Sequence, residues 1–238
     1  MALFVISDLH LATADLNKSM EVFGNRWKDY IQRIKNNWLK VVTDEDTVII
    51  PGDISWGLAA EDALPDLLWL DSLPGQKIIL KGNHDFWWTT LTKLEKLFEE
   101  NDITTITPLQ NHAKEIENYI IAGSRGWFTD RSMQPDDEKA EYDKIVNREA
   151  IRLEMSLKEA MLLREKNDKE IIVFMHFPAV WSEFKCEPIL AVLKKYEIKT
   201  CYFGHIHGVY SVPETITYEG ISFKMISADF IDFVPRII

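Results

Sequence analysis

The chain has 238 residues and a formal net charge of −11, with 38 acidic side chains against 27 basic ones. This balance disfavours long DNA or RNA as a partner, because Lys and Arg supply most of the non-specific affinity for a phosphate backbone. Apolar residues make up 46% of the chain and charged residues 27%, which is typical of a globular protein that folds in water.

The two cysteines, Cys186 and Cys201, have neither paired nor metal-type spacing, which predicts reduced thiols rather than a disulfide framework. The first apolar run is too short for a signal peptide and has no basic leader. No stretch approaches the length of a membrane span. We therefore expect a cytoplasmic protein without a membrane partner.

Strand and helix patterns alternate in the first part of the chain. Short apolar runs predict strands at 2–7, 47–50 and 77–80, and apolar residues at three- and four-residue steps predict helices at 18–40, 59–73 and around 91–98. Such β–α alternation is typical of an α/β fold with a largely parallel core sheet.

The pattern changes after about residue 101. Strands are predicted at 103–107 and 119–122 with no helix between them, at 171–175 and 200–203 around a helix at 187–196, and in a hairpin at 215–218 and 221–226. The charged segment 130–168 keeps helical spacing, and we interpret it as a solvated crossover helix with a mobile approach around 130–138. A lid over a site is the alternative. No linker or repeat interrupts the sequence, so we expect a single domain over 1–238.

Side chains that bind metals or carry protons follow five of the predicted strands, usually with Gly or Pro nearby. They are Asp8 and His10; Asp53; Asn83, His84 and Asp85; His176; and His205 and His207. In open α/β sheets, ligands bind at the carboxyl ends of the strands. A single such residue after a strand is ordinarily a turn residue. Five strand ends that all carry such residues predict a functional site.

The number and type of these side chains favour a pair of metal ions. Asp8, His10, Asp53, Asn83, His176, His205 and His207 exceed what a single catalytic metal needs, because such a site keeps positions open for water and substrate. A bridging carboxylate, for which Asp53 after Gly52 is a candidate, would give each ion enough ligands. Nitrogen and oxygen ligands without thiolate suit Mn, Fe, Zn or Co. Two such ions lower the pKa of a shared water from 15.7 to roughly 7.

Three further residues have candidate roles with open alternatives. His84 would donate a proton to the leaving group. Asp85 would fix the tautomer of His84, and a loop or N-cap acceptor is the alternative. Arg125, flanked by glycine-containing sequence after a strand, would clamp a phosphate, and a surface or helix-pairing role is the alternative.

Several Trp residues lie in or near the proposed site loops: Trp56, Trp69, Trp87, Trp88, Trp127 and Trp181. One hypothesis is an aromatic rim that stacks a base or another flat group. The alternative, core packing, is favoured because Trp is highly buried on average.

The order and type of the five blocks resemble the calcineurin-like metallophosphoesterase superfamily. The blocks are Asp8-Leu9-His10, Gly52-Asp53, Gly82-Asn83-His84-Asp85, His176 after a strand, and Gly204-His205-Ile206-His207. The resemblance implies a four-layer α–β–β–α sandwich with two central mixed β-sheets and a dinuclear metal site. It also implies one metal on Asp8, His10, Asp53 and His207, a second on Asp53, Asn83, His176 and His205, and His84 as proton donor or phosphate contact with Asp85 behind it.

The resemblance favours a metal-dependent phosphohydrolase that cleaves a small phosphomonoester or phosphodiester through attack of a metal-bound hydroxide. A nucleotide is one candidate substrate, to which Asn83 and Arg125 would contribute contacts. The uridine-diphosphate-diacylglucosamine hydrolases of this superfamily usually have Arg in place of His84, which weighs against that assignment. The alternatives are a nuclease of the same superfamily and a non-catalytic metal-binding scaffold. The substrate, the metals among Mn, Fe and Zn, and the oligomeric state are left open.

Overall fold

The structure is a computed structural model that describes residues 1–14, 18–129 and 131–238. Its strands are β1 (Leu3–Val5), β2 (Thr47–Pro51), β3 (Gln76–Leu80), β4 (Ile106–Pro108), β5 (Lys114–Ile116), β6 (Tyr119–Ser124), β7 (Glu170–Met175), β8 (Val180–Trp181), β9 (Phe184–Lys185), β10 (Thr200–Phe203), β11 (Thr215–Tyr218), β12 (Ile221–Met225) and β13 (Arg236–Ile237). Its α-helices are α1 (Tyr30–Val41), α2 (Ala60–Asp71), α3 (Leu91–Glu100), α4 (Lys139–Asn167) and α5 (Glu187–Lys195).

The chain forms two compact units. The first unit comprises Met1–Pro108, Gly204–Val212 and Ile226–Ile238. The second comprises Leu109–Phe203 and Pro213–Met225. The first unit is therefore discontinuous in sequence.

In the described part of the chain, the first unit contains a five-stranded sheet with the order β13-β1-β2-β3-β4. Strands β1 to β4 are parallel, and β13 pairs antiparallel with β1. Ile49 lies between Val5 on one side and Ile78 on the other, so β1, β2 and β3 are aligned at their carboxyl ends. All of β2 is buried, as expected for a parallel strand covered on both faces. This alignment brings the segments after β1, β2 and β3 to one edge.

The core of the first unit includes the buried face of α1, formed by Tyr30, Ile34 and Trp38 at four-residue steps. The prediction of one helix over 18–40 is wrong in its first half. Residues 20–23 and 25–27 form short 3-10 turns instead, separated by Gly24 at φ 116°. A residue with this φ cannot continue a right-handed helix.

The six-stranded sheet of the second unit, counted over the described residues, has the order β11-β12-β10-β7-β6-β5. The four inner strands are parallel, and β5 and β11 pair antiparallel at the two edges. The sequence did not indicate the short strands β5, β8, β9 and β13. Strands of two or three residues give too little alternation for a pattern to be recognised.

The charged segment contains the long helix α4, which buries Val146, Ala150, Leu153 and Leu157 at the predicted helical spacing. The helix begins later than the charged segment does, after a 3-10 turn at 131–133. Residue 130, where the predicted mobile approach begins, lies outside the described residues, and the lid stays a prediction. No α-helix within the described residues has the length and apolar content needed to cross a bilayer.

These observations confirm a mixed α/β fold with two large mixed sheets flanked by helices. Single-domain organisation over 1–238 stays a prediction.

One lysine in β3 is fully buried. The ammonium group of Lys77 donates to the backbone carbonyl of Leu73 and, at 2.9 Å, to the hydroxyl of Thr105. Burial lowers the pKa of Lys77 from 10.5 to about 8, although Asp71 and Asp44 favour its charged form. A lysine with this pKa makes folding stability depend on alkaline pH.

We expect Lys77→Met to remove this dependence. Between the native pKa of about 8 and the ordinary value of 10.5, the unfolded wild-type chain binds more protons than the native state. The free energy of unfolding of the wild type should therefore rise relative to the variant, by up to about 1.4 kcal/mol per pH unit. Urea unfolding of both proteins at several pH values from about 7 to 10 measures the difference. A constant difference over this range would show that Lys77 keeps its ordinary pKa.

Candidate metal centre

Loop segments of the first unit place several non-glycine residues in the left-handed region. Asp8 has φ 61°, His10 has φ 46°, Asp53 has φ 51° and His205 has φ 70°. Such conformations cost energy for non-glycine residues and cluster at functional sites. The four residues are among those that the sequence predicts as metal ligands.

The structure brings Asp8, His10 and His207 together. Each offers a ligand atom, and these atoms lie within 4.8 Å of one another. The Nε2 atoms of His10 and His207 are 3.2 Å apart, and Nε2 of His207 lies 3.6 Å from Oδ1 of Asp8. Asp8 and His10 are buried, so the group is held inside the protein. One carboxylate and two imidazoles are a donor set that suits a transition metal.

Asp53 lies between this group and His205. Its Oδ2 atom is 3.6 Å from Nε2 of His10, and it also offers an oxygen within 4.8 Å of a ring nitrogen of His205. A carboxylate that faces ligands on both sides has the position that a bridging ligand needs. Burial, then Asp85 and Asp8, raise the pKa of Asp53. Asp8, Asp53 and Asp85 repel one another when all three are charged. Bound cations would offset this repulsion, so the residues fit a metal centre.

Two glycines allow the backbone to approach these carboxylates closely. A Cβ atom on Gly82 would overlap the carboxylate and backbone nitrogen of Asp53. A Cβ atom on Gly204 would overlap the carboxylate of Asp8 and the hydroxyl of Ser7. Any side chain at Gly82 or Gly204 would collide with a predicted metal ligand, so both positions require glycine.

Asp229 is a residue of this site that the sequence analysis missed. Its Oδ1 atom is 2.8 Å from Nδ1 of His207, and its Oδ2 atom accepts from Gly208 N–H and Tyr210 O–H, both at 3.0 Å. A carboxylate on Nδ1 directs Nε2 of His207 towards Asp8 and His10, an arrangement typical of metal-binding histidines. Burial disfavours the charged imidazolium, but the hydrogen bonds to Asp229 and Asp8 raise the pKa of His207 to about 10.

A sequence signal for Asp229 did exist. It comes shortly after β12, as Asp8 comes shortly after β1, and Ser7 and Ser227 form a parallel bridge between the two segments. The hydrogen bonds from Ser7 N–H to Ile226 C=O and from Ala228 N–H to Ser7 C=O, both 2.9 Å, complete this link.

Asp85 organises the loop after β2. Its Oδ2 atom accepts from the backbone N–H groups of Asp53 at 2.9 Å and Gly82 at 2.8 Å. Its Oδ1 atom accepts from Ile54 N–H at 2.9 Å and from the indole N–H of Trp87 at 3.0 Å. These contacts agree with the loop-acceptor alternative, and its action on the His84 tautomer stays a prediction.

His84 lies among the predicted ligands of the first unit. Its backbone N–H donates to Oδ1 of Asp53 at 2.8 Å, and its ring centroid is 5.5 Å from that of His10 and 4.4 Å from that of Trp56. His84 and the neighbouring Asn83 are both partly exposed.

Two predicted site residues lie in the second unit. His176 is fully buried immediately after β7. The guanidinium of Arg125 lies 3.6 Å from the carboxylate of Glu149 on α4 and 5.3 Å from the ring centroid of Trp127. This is the helix-pairing arrangement that the sequence left open, and a phosphate contact by Arg125 stays a prediction.

Comparison with known proteins identifies the family. Residues 1–209 match the model of the calcineurin-like phosphoesterase family, and the chain belongs to this family. No curated protein matches it significantly. Among solved structures, a protein of Thermus thermophilus named TT1561 has 10% identity and a TM-score of 0.55, with 99% of this chain and 96% of that one covered. A protein of unknown function from Aquifex aeolicus has 17% identity and a TM-score of 0.46, with 99% and 95% covered. The similarity to the Thermus thermophilus protein concerns the fold alone.

We expect Asp229→Asn to weaken metal binding about 10- to 100-fold. The neutral amide would no longer increase the basicity of His207 or fix its ring as firmly. Isothermal titration of the metal-free protein with Mn²⁺ measures the affinity. Asp232→Asn is a matched control, because the Asp232 side chain is 60% exposed and pairs with Arg26. Equal affinities in wild type and both variants would show that Asp229 does not support the metal ligand.

Proposed function

We propose that the protein is a metal-dependent phosphohydrolase that cleaves a P–O bond of a small phosphomonoester or phosphodiester. The observation that carries this proposal is the convergence of Asp8, His10 and His207 with Asp53 beside them. Membership of the calcineurin-like phosphoesterase family supports the same reaction class. The metals, drawn from Mn, Fe and Zn, and a cytoplasmic location are parts of the proposal.

In this proposal, Asp8, His10, Asp53 and His207 hold one metal ion, and Asp53, Asn83, His176 and His205 hold the other. The geometry described above supports Asp8, His10, His207, Asp53 and His205 as members of the set. His176 and Asn83 are included on the sequence resemblance. When bound, the ions supply a hydroxide nucleophile near neutral pH and neutralise charge on the phosphoryl group.

The protein's own residues would position and protonate the substrate. The backbone of His84 contacts the Asp53 carboxylate and the residue is partly exposed, so we assign its ring N–H as the proton donor to the leaving-group oxygen of a bound ester. Proton donation there would contribute about 10²- to 10⁴-fold to the rate. Asp85 accepts from the backbone N–H of Asp53 in the loop after β2 and of Gly82 in the loop after β3, and would thereby hold the two loops in place.

The nuclease alternative requires a basic surface for a polynucleotide backbone, and the net charge of −11 counts against it. A non-catalytic scaffold would need no proton donor, whereas the ring of His84 lies beside that of the predicted ligand His10. A small phosphorylated substrate, with nucleotides among the candidates, therefore agrees best with the sequence and the site.

Metal analysis combined with a hydrolysis assay tests the proposal. We expect the Mn²⁺-loaded wild type to hydrolyse p-nitrophenyl phosphate or bis-p-nitrophenyl phosphate. Asp53→Asn should reduce turnover to background and lower the metal content, because Asp53 is the predicted bridging ligand. Circular dichroism of the variant verifies folding. A wild type that binds metal and hydrolyses neither ester, nor any other small phosphoester tested, would favour the scaffold.

His84→Asn separates proton donation from metal binding. We expect an unchanged metal content and a decrease in kcat of about 10²-fold or more on alkyl phosphates, whose poor leaving groups need a proton. The loss should be smaller on p-nitrophenyl phosphate. His112→Asn is the matched control, since His112 lies in the second unit and contacts Gln110. If His84→Asn removes the metals instead, His84 is a ligand and not the proton donor.

A further inference from the structure

A cavity of about 390 Å³ borders the candidate metal ligands within the first unit. His10, His84 and His207 form part of its wall, and Phe23, Trp27 and Trp56 form another part. Its volume is within the range of small-molecule sites, which are about 300–1,000 Å³ and mostly apolar with a few polar groups. Predicted metal ligands and aromatic side chains therefore line the same cavity.

The two indole rings are packed against the predicted ligands and are therefore pre-positioned. Trp56 stacks on His10 with ring centroids 4.9 Å apart. Trp27 lies edge-on to His207 at 5.4 Å and is held from behind by Phe233 at 5.2 Å. Trp27 is only 2% exposed and therefore supports the wall, whereas the half-buried Trp56 presents part of its fixed ring, which lowers the entropic cost of binding a flat group.

Phe23 differs from these rings because its side chain is 68% exposed although it lines the cavity. It lies on the 3-10 turn at 20–23, next to Val22, which is 78% exposed and does not line the cavity. An apolar group bound in the cavity would cover Phe23 and remove its ring from water, which is favourable. Val22 would gain nothing from the same ligand.

One ring of the cavity wall already faces a cation. Tyr210, also on the wall, carries the guanidinium of Arg26 over its ring at 4.8 Å. Arg26 is fixed there by a hydrogen bond to the carbonyl of Asp229 at 2.8 Å and an ion pair with Asp232 at 2.6 Å. A quaternary ammonium group would have to compete with this resident cation for the ring of Tyr210.

We propose that this cavity binds the organic group of the phosphoester substrate, and that this group is an uncharged, planar aromatic ring system. The inference rests on the proposed function, because it assigns the substrate class of the same site. Of the Trp residues that the aromatic-rim hypothesis named, only Trp56 is part of the described lining of this cavity. Trp27, which that hypothesis left out, is part of it as well.

The first test compares esters whose leaving groups have similar reactivity. We expect kcat/KM for 2-naphthylmethyl phosphate to exceed that for methyl phosphate and that for phosphocholine. Phe23→Ala should lower kcat/KM for the naphthylmethyl ester about 5- to 10-fold, the effect of one aromatic contact. It should change kcat/KM for methyl phosphate less than about 2-fold. The matched control Val22→Ala should leave both values unchanged.

The second test does not depend on turnover. Isothermal titration with 2-naphthylmethanol, a neutral alcohol without phosphate, measures binding to the metal-free and the Mn²⁺-loaded protein. We expect binding in both forms, weakened about 5- to 10-fold by Phe23→Ala and unaffected by Val22→Ala.

The outcomes separate the two proposals. If no phosphoester is hydrolysed but 2-naphthylmethanol binds in a Phe23-dependent way, the proposed function fails and the aromatic site stands. If esters are hydrolysed without preference for the aromatic group and the alcohol does not bind, the aromatic site is refuted and the proposed function stands. A preference for phosphocholine would refute the uncharged class.

Discussion

The structure of the first unit depends on the burial of two carboxylates close together. Asp8 and Asp53 are almost fully buried at the ends of adjacent parallel strands, and burial, then the charges of Asp85 and Asp8, raise the pKa of Asp53. Buried carboxylates are tolerated when cations or hydrogen-bond donors surround them. The protein supplies donors through His205 N–H to Asp8 and His84 N–H to Asp53, and it places imidazoles where metal ions would complete the compensation.

A second layer of contacts keeps these groups in place. Asp85 collects backbone N–H groups from the loop after β2, and Asp229 orients His207 from outside the ligand set. Asp85 and Asp229 can affect metal affinity without contacting a metal, because residues behind the metal ligands fix the orientation and basicity of those ligands. The aromatic wall formed by Trp27 and Trp56 packs on the same imidazoles, so ligand geometry and the shape of the neighbouring cavity are coupled.

Much of this could be predicted from the sequence, because strand periodicity and strand-end residues are local features. The strands that precede Asp8, Asp53 and Asn83 were predicted to within two residues at each end, and five of the predicted ligands lie together in the first unit. Asp229 was missed although it too follows a predicted strand, because its approach to His207 depends on the bridge between Ser7 and Ser227, far apart in sequence. The 3-10 turns before α1 were missed because Met20 and Trp27 keep helical spacing although Gly24 interrupts the helix.

The discontinuity of the first unit has a consequence for folding during translation. His207 and Asp229 leave the ribosome only after residues 109–203 of the second unit have been made. Until then, β1 lacks its partner β13, and Asp8 lacks the His205 N–H group that donates to it in the finished protein. While the second unit is synthesised, the nascent first unit therefore lacks the antiparallel neighbour of β1 and one hydrogen-bond donor to Asp8. The time taken to translate the rest of the chain therefore sets how long the edge of β1 stays without β13.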